Sequence, residues 1–356
     1  MNDVIVSKIF NNILNNSIIL ASPSKCPNYR YHWIRDSALT IRTIINLYNK
    51  DKKPNYYYLL NNYIINEDKV QKYHLGEPKF NTDLTKFSGE WGRPQNDGPA
   101  LRGLNMLKLL HIFPSKEKQI NKIIERDLHY TIENLHNPCF DLWEEQYGYH
   151  LYTRLVQAKF LKEYCQDFAD TRIKEKYNEL KTILGHHITK ETIYSSFTSH
   201  GTILRQYDSS LLLGLNHIDY DEDIIDIHSD SLKNYVASII NIFKRKYNIN
   251  NILQINFLGR YKEDRYYDGN PWIICTLSLF QYYTFIGDKH DSEIIRFFIF
   301  CLYKKLNLSE QINSKTFQDI SALNLTWNYS ELLNLMELIS FKNPKLHSII
   351  EVISTS

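Results

Sequence analysis

Cys139-Phe140-Asp141-Leu142-Trp143-Glu144-Glu145-Gln146 sets two adjacent carboxylates and a third, Asp141, around a tryptophan, and Leu151, Leu155, Ala158 and Leu161 follow it. Apolar residues three and four apart mark one face of a helix. The stretch therefore reads as a polar, aromatic loop that opens an amphipathic helix, and the same unit recurs. Tyr29-Arg30-Tyr31-His32-Trp33-Ile34-Arg35-Asp36 precedes Ile41, Ile44, Ile45 and Tyr48. The polar segment from Gly89 to Pro99, rich in turn residues, precedes a helix bearing Leu101, Leu104, Met106, Leu109, Leu110 and Phe113, with Pro99 suited to its first turn. Gly269-Asn270-Pro271-Trp272 precedes Cys275 and Leu279, and Leu325-Thr326-Trp327-Asn328-Tyr329 precedes Leu332, Leu335, Met336 and Ile339.

Further helical periodicity starts at Val6, Ile9, Phe10 and Ile13, runs through Leu59, Tyr63 and Ile64, and returns from Asp230 to Tyr247. Residues 165 to 200 read as helical with polar connections. About a dozen helices with polar, aromatic loops at alternate junctions predict an all-α fold of two concentric layers. Loops gathered at one end of such a barrel form a single pocket. The 12 Gly and 10 Pro in 356 residues are few for an all-β chain. The length allows one large domain or two ordinary ones, and no Pro/Gly/Ser-rich linker divides the chain; a single domain over residues 1–356, catalytic by the resemblance given below, is the expectation.

Charge excludes some partners. Lys+Arg 42 against Asp+Glu 40 gives no field that would gather nucleic acid or an anionic membrane, so a neutral substrate is expected. The five cysteines, Cys26, Cys139, Cys165, Cys275 and Cys301, show no CxxC spacing and suggest neither a disulfide framework nor a zinc site. The 13 histidines show no metal-ligand spacing, and neither a metal nor an organic cofactor is expected. Met1-Asn2-Asp3-Val4-Ile5 does not begin a signal peptide, and no uncharged run reaches membrane-spanning length. A monomeric protein of the cytoplasm is the expectation.

Neighbouring residues on a loop point different ways, so Glu144 and Glu145 need not share a task. One can be a proton donor whose pKa is raised by burial against Trp143, while the other stays ionised and binds a hydroxyl. Carbohydrate chemistry uses that pairing, with an aromatic face to stack on a sugar. The competing reading is that Asp141, Glu144 and Glu145 decorate a helix N-terminus, where acids favour the dipole.

Taken together the loops resemble the glucoamylase family, glycoside hydrolase family 15. The matching segments, in the family's order, are Tyr29 to Leu39, Gly76 to Asn81, Trp91 to Arg102, Asp141 to Glu145, Gly259 to Asp264, Gly269 to Trp272, Ser309 to Gln311 and Leu325 to Tyr329. The resemblance implies an (α/α)6 barrel that releases β-glucose from the non-reducing ends of α-1,4-glucans such as starch, glycogen and maltooligosaccharides, with inversion at the anomeric carbon. On the matched positions Glu144 would be the general acid and Glu310 the general base. Arg35 and Asp36 would hold the outer hydroxyls of the terminal glucose, with Arg260 and Asp264 on the opposite wall and Glu145 on the next sugar. Tyr29 would stack near the reacting ring. Trp33, Trp91, Trp143, Trp272 and Trp327 are candidate walls, and Asp141 either contacts substrate or orients the acid.

The chain departs from the family pattern after Glu310, where Ile312 and Asn313 replace an aromatic and an acidic residue, and at Asp268, where many members carry Asn. With the chain ending at Ser356, no separate starch-binding domain is expected. Two alternatives stay open: a related helical-barrel hydrolase acting on a short α-glucoside such as trehalose, and an inert relative that binds glucans.

Overall fold

The computed structural model describes residues 1–355. Six helices form an inner ring: α2 (Ile34–Asp51), α4 (Asp97–Ile112), α6 (Leu151–Phe168), α8 (Ser210–His217), α11 (Ile273–Ile286) and α13 (Thr326–Lys342). Each packs on the next, and α13 packs back on α2, which closes the ring. Their composition explains the position. In α11 every residue from Ile273 to Thr284 is buried, and α13 is buried without a break from Thr326 to Met336. A helix apolar on all sides must be covered on all sides.

The covering layer is amphipathic. α1 (Asn2–Asn11) packs on α13, α3 (Pro54–Val70) on α2, α5 (Glu117–Glu133) on α4 and α3, and α7 (Thr171–Leu184) on α6. α9 (Asp230–Lys246) turns Leu232, Tyr235, Val236, Ile239 and Phe243 inward, and α14 (Pro344–Thr355) joins α12 (Asp291–Tyr303) to α13. The short α10 (Asn248–Leu253) follows α9. This is the two-layered, all-α arrangement expected from the repeated units, and α5, α10 and α14 add to the helices that the periodicity marks.

Two stretches differ from expectation. The Cys139–Gln146 region is a β-hairpin, β3 (Cys139–Phe140) paired with β4 (Tyr147–His150), and Phe140 and Tyr147 face each other across it with ring centroids 5.4 Å apart. Between Cys165 and Tyr207, helix gives way after α7 to β5 (Ser196–Phe197) and β6 (Ile203–Arg205), which extend the hairpin into a four-stranded sheet. Strands of two to four residues are too short to show an alternating pattern, so their pairing is a tertiary event.

Two smaller ribbons complete the loop end. β1 (His32–Trp33) pairs with β2 (Lys79–Phe80), and β7 (Gln311–Ile312) with β8 (Asp319–Ile320). Single bridges between Asp208 and Tyr261 and between Trp272 and Gln311 stitch neighbouring loops together. The segments that enter all six inner helices thus meet at one end of the ring.

Candidate active site

A cavity of about 700 Å³ lies at that end. Its wall is built from the residues just before or just inside the inner helices: Tyr29, Trp33, Arg35 and Asp36 at α2, Trp91 before α4, Trp143 to Glu145 before α6, Arg260 and Trp272 before α11, Glu310 and Trp327 around the entry to α13. Arg35, Asp36, Arg260, Glu310 and the tryptophans 143, 272 and 327 are buried, whereas Trp91, 37% exposed, stands at the rim with Asn28 and Glu90.

Glu144 occupies the tip of the β3–β4 hairpin with φ 65°, a left-handed conformation costly for a residue with a Cβ. Its backbone N–H closes a turn onto the Asp141 carbonyl at 2.9 Å. The Asp141 carboxylate fixes the next two residues, accepting from the N–H of Glu145 at 2.8 Å and of Gln146 at 3.0 Å. Four donors then converge on the Glu144 carboxyl: the Trp33 indole N–H at 2.8 Å, the Gln95 amide at 3.0 Å and Arg35 at 3.4 Å on one oxygen, and the Trp91 indole N–H at 2.8 Å on the other. Burial raises the Glu144 pKa above the usual carboxylate range, against the pull of Arg35, Gln95 and Trp33.

Glu310 sits on a different loop and is fully enclosed. Its backbone N–H donates to Ala322 at 2.7 Å and its carbonyl accepts from Ile273 at 3.2 Å, so the residue is pinned between β8 and the start of α11. Ser321 donates to its carboxylate, and Tyr29, whose hydroxyl is 3.1 Å from that of Tyr266, favours its ionised form as well. Burial pushes Glu310 up to about 7, with Ser321, Tyr29 and Arg260 opposing the rise.

Glu145 points away from Glu144 into a cationic and phenolic nest formed by Arg260 at 2.7 Å, Arg205 at 3.0 Å and the Tyr261 hydroxyl. Adjacent carboxylates therefore have separate environments. Arg260 is locked by Asp264 through two bonds of 2.9 and 2.6 Å. The Trp143 indole is held edge-on by Asp208 at 2.9 Å and meets Trp272 with centroids 5.5 Å apart. Arg35 pairs with Asp97 at 2.6 Å. Asp36 has no side-chain hydrogen-bond partner among the described residues, and burial pushes it up to about 6.

Of the residues singled out from the sequence, twelve line this cavity: Glu144, Glu310, Tyr29, Trp33, Arg35, Asp36, Trp91, Trp143, Glu145, Arg260, Trp272 and Trp327. Asp141 and Asp264 do not. Both stand behind the wall, Asp141 tied to Arg205 and the hairpin backbone and Asp264 to Arg260, because a buried carboxylate next to a buried guanidinium is neutralised there. Their contact is with the residues that hold the site.

Sequence reasoning did not single out Lys79, Gln95, Arg205, Tyr261, Tyr266 or Ser321. The Lys79 ammonium lies 3.1 Å from the Trp91 ring centroid and within 4.0 to 4.7 Å of those of Phe87, Trp33 and Tyr31, and burial pulls its pKa down to about 8. It sits inside the Gly76 to Asn81 motif, which was the available signal. Ser321 and Arg205 carry none, since each acts through a fold contact. Among the described residues no group of three or more His, Cys, Asp or Glu side chains converges to hold a metal ion, and no helix is long and apolar enough to cross a membrane.

Comparison with known proteins agrees with this geometry. The family model for glycosyl hydrolases family 15 matches residues 10–305, a span that includes Glu144 and stops just before Glu310. The chain is 30% identical over 289 residues to glucoamylase 1 of Rhizopus oryzae, covering 72% of this chain and 48% of that one. It is also 30% identical over 366 residues to the intracellular sporulation-specific glucoamylase of Saccharomyces cerevisiae, covering 81% and 64%. The chain thus spans about half the length of several curated relatives that it matches. A solved glucoamylase of Saccharomycopsis fibuligera superposes with a TM-score of 0.84 at 23% identity, over 99% of this chain and 95% of that one, which establishes the (α/α)6 barrel through the region of Glu310. With its fold, its loop motifs and the family match over most of its length in agreement, the chain belongs to the glycosyl hydrolases family 15.

Proposed function

We propose that the protein is an inverting exo-glucosidase that releases β-D-glucose from non-reducing ends of α-1,4-linked glucans and maltooligosaccharides. The observation that carries this is the presence of Glu144 and Glu310, from loops 166 positions apart (310 − 144), in the wall of one cavity whose buried end holds Asp36, Arg35 and Arg260. A chain terminus fits such an end; an internal segment does not.

Glu144, protonated, gives its proton to the glycosidic oxygen as the bond from that oxygen to C1 breaks. Glu310, ionised, takes a proton from a water whose oxygen bonds C1 from the opposite face. The leaving chain departs as an alcohol and the sugar as β-glucose, and the site resets when Glu310 releases its proton to solvent and Glu144 takes one up. Inversion of this kind needs about 6.5–9.5 Å between the carboxyls. After proton loss, the indole N–H groups of Trp33 and Trp91 and the Gln95 amide hold the new Glu144 carboxylate. Asp36, with free acceptor capacity, takes hydroxyls of the terminal glucose with Arg260 on the opposite wall, and Glu145 reaches the next residue of the glucan.

Anomer-resolved NMR of the first product tests the reading. Wild type yields β-glucose from maltotriose, and Glu144→Gln and Glu310→Gln each lose about 10²–10⁴-fold in kcat. Full activity in either variant removes its assigned role, and turnover of trehalose alone in a panel with maltose and glycogen replaces the substrate. The free thiols of Cys26, Cys139, Cys165, Cys275 and Cys301 suit a reducing, cytoplasmic setting, which cell fractionation checks.

A further inference from the structure

A second cavity, of about 460 Å³, lies at the root of the catalytic hairpin, on the far side of β4 from its tip. His136 reaches it from the turn after α5, Tyr149 from β4, Arg154 from the first turn of α6, His186 and His187 from the turn after α7, and Thr198, Ser199 and Gly201 from the β5–β6 connection.

Arg154 is the feature that needs an explanation. Five arginines are buried, and four of them have carboxylate partners: Arg35 with Asp97 and Glu144, Arg102 with Asp127 and Glu67, Arg205 with Asp141 and Glu145, Arg260 with Asp264 and Glu145. Arg154, 5% exposed, has no carboxylate within ion-pair distance among the described residues. Its one protein acceptor is the Leu135 carbonyl, engaged by Nη1 alone. Four donors of a fixed guanidinium fork thus have no protein acceptor among the described residues, and the side chain lines the cavity beside the Tyr149 ring at 5.2 Å. A buried charge of this kind is costly unless something pairs it.

The surroundings do not supply the missing charge. Glu179, a carboxylate in contact with the lining residue His136, also accepts from Lys176 at 2.8 Å. His187 is buried, gives its Nδ1 proton to the Tyr194 carbonyl at 2.9 Å, and stacks obliquely on Phe197 with centroids 4.9 Å apart. The walls therefore set a guanidinium among aromatic rings and hydroxyls. The space is several times that of a bare oxyanion.

We infer that this cavity binds a small phosphorylated sugar, its phosphoryl oxygens on the Arg154 guanidinium and its ring between Tyr149, Phe197 and the Thr198–Ser199 hydroxyls. Planar, bidentate recognition of an oxyanion is what a fixed guanidinium does best.

Titration calorimetry and thermal unfolding of the full chain test this with glucose 6-phosphate, inorganic phosphate and glucose as probes. Glucose 6-phosphate binds and raises Tm, inorganic phosphate binds the same site more weakly, and glucose does neither at this site. Arg154→Met keeps the side-chain bulk, folds with an unchanged or higher Tm because an unpaired charge is gone, and loses about tenfold to a hundredfold in affinity for glucose 6-phosphate. Ser199→Glu, at an exposed position, places a competing carboxylate in the cavity and gives the same loss should Arg154→Met fail to fold. Absence of binding to wild type overturns the inference. So does affinity retained in either folded variant, since the ligand then lies elsewhere, including in the larger cavity. The readout is binding, so it stands apart from the hydrolase reading.

Discussion

Burial raises both Glu144 and Glu310, yet the two are restrained by different partners and, in the proposed mechanism, work in opposite protonation states. Glu310 has to be ionised to accept a proton from water, and its pKa of about 7 means that the competent fraction falls as pH drops through neutrality. The ionised fraction of Glu310 therefore sets an acid limb of kcat/KM near pH 7. Ser321 donates to the Glu310 carboxylate and so favours the ionised form. Ser321→Ala removes that donor, raises the Glu310 pKa further and moves the acid limb up by about one pH unit, the scale of one charged hydrogen bond. A pH–rate profile on maltose checks it, and an acid limb that stays in place or moves down contradicts the assignment of Glu310 as base.

At the scale of the element, the β3–β4 hairpin is a device for aiming two adjacent carboxylates apart. The turn at Asp141 to Glu144, the left-handed backbone at Glu144 and the Asp141 bonds to the following N–H groups turn Glu144 toward Trp33 and Trp91 and Glu145 toward Arg260. The preceding loop comes close enough that Gly92 has no room for a side chain. A Cβ there would lie 2.8 Å from the Glu144 carbonyl oxygen and 2.8 Å from the Phe140 ring. Gly92→Ala is expected to push the hairpin tip out of place, lowering kcat/KM by about tenfold to a hundredfold while costing about 1–3 kcal/mol of stability. Steady-state kinetics beside urea unfolding separates the two effects. Unchanged kinetics would show that the tip yields without consequence.

Across the whole molecule, the inner ring and its cover are tied beneath the site by a buried charge network. Arg102 of α4 bonds Asp127 of α5 at 2.5 and 2.8 Å and Glu67 of α3 at 3.1 Å, and Glu67 also holds His32 of β1 at 2.8 Å. Removing the guanidinium leaves two buried carboxylates facing each other. Arg102→Ala is expected to cost about 3–5 kcal/mol in urea unfolding. By contrast, Lys122→Ala, which breaks a surface pair of a 57% exposed lysine with Asp68, should change stability by about 1 kcal/mol or less. Equal losses in the two variants would remove the distinction.

The chain by itself determined the helix count to within a few and the order of the motifs that carry Glu144 and Glu310, because helical periodicity and motif spacing are local properties carried by residues such as Leu151, Leu155 and Ala158 or Asp141 to Glu145. Only the tertiary structure decided that those motifs share one cavity, that the Glu144 stretch is a hairpin continued by β5 and β6, and that Asp141 and Asp264 stand behind the wall. It also decided that Ser321 tunes Glu310, that Lys79 is caged by four rings and that Arg154 is buried with no carboxylate partner among the described residues. These depend on contacts between segments tens to hundreds of residues apart, and burial, charge pairing and short-strand pairing exist only once those segments meet.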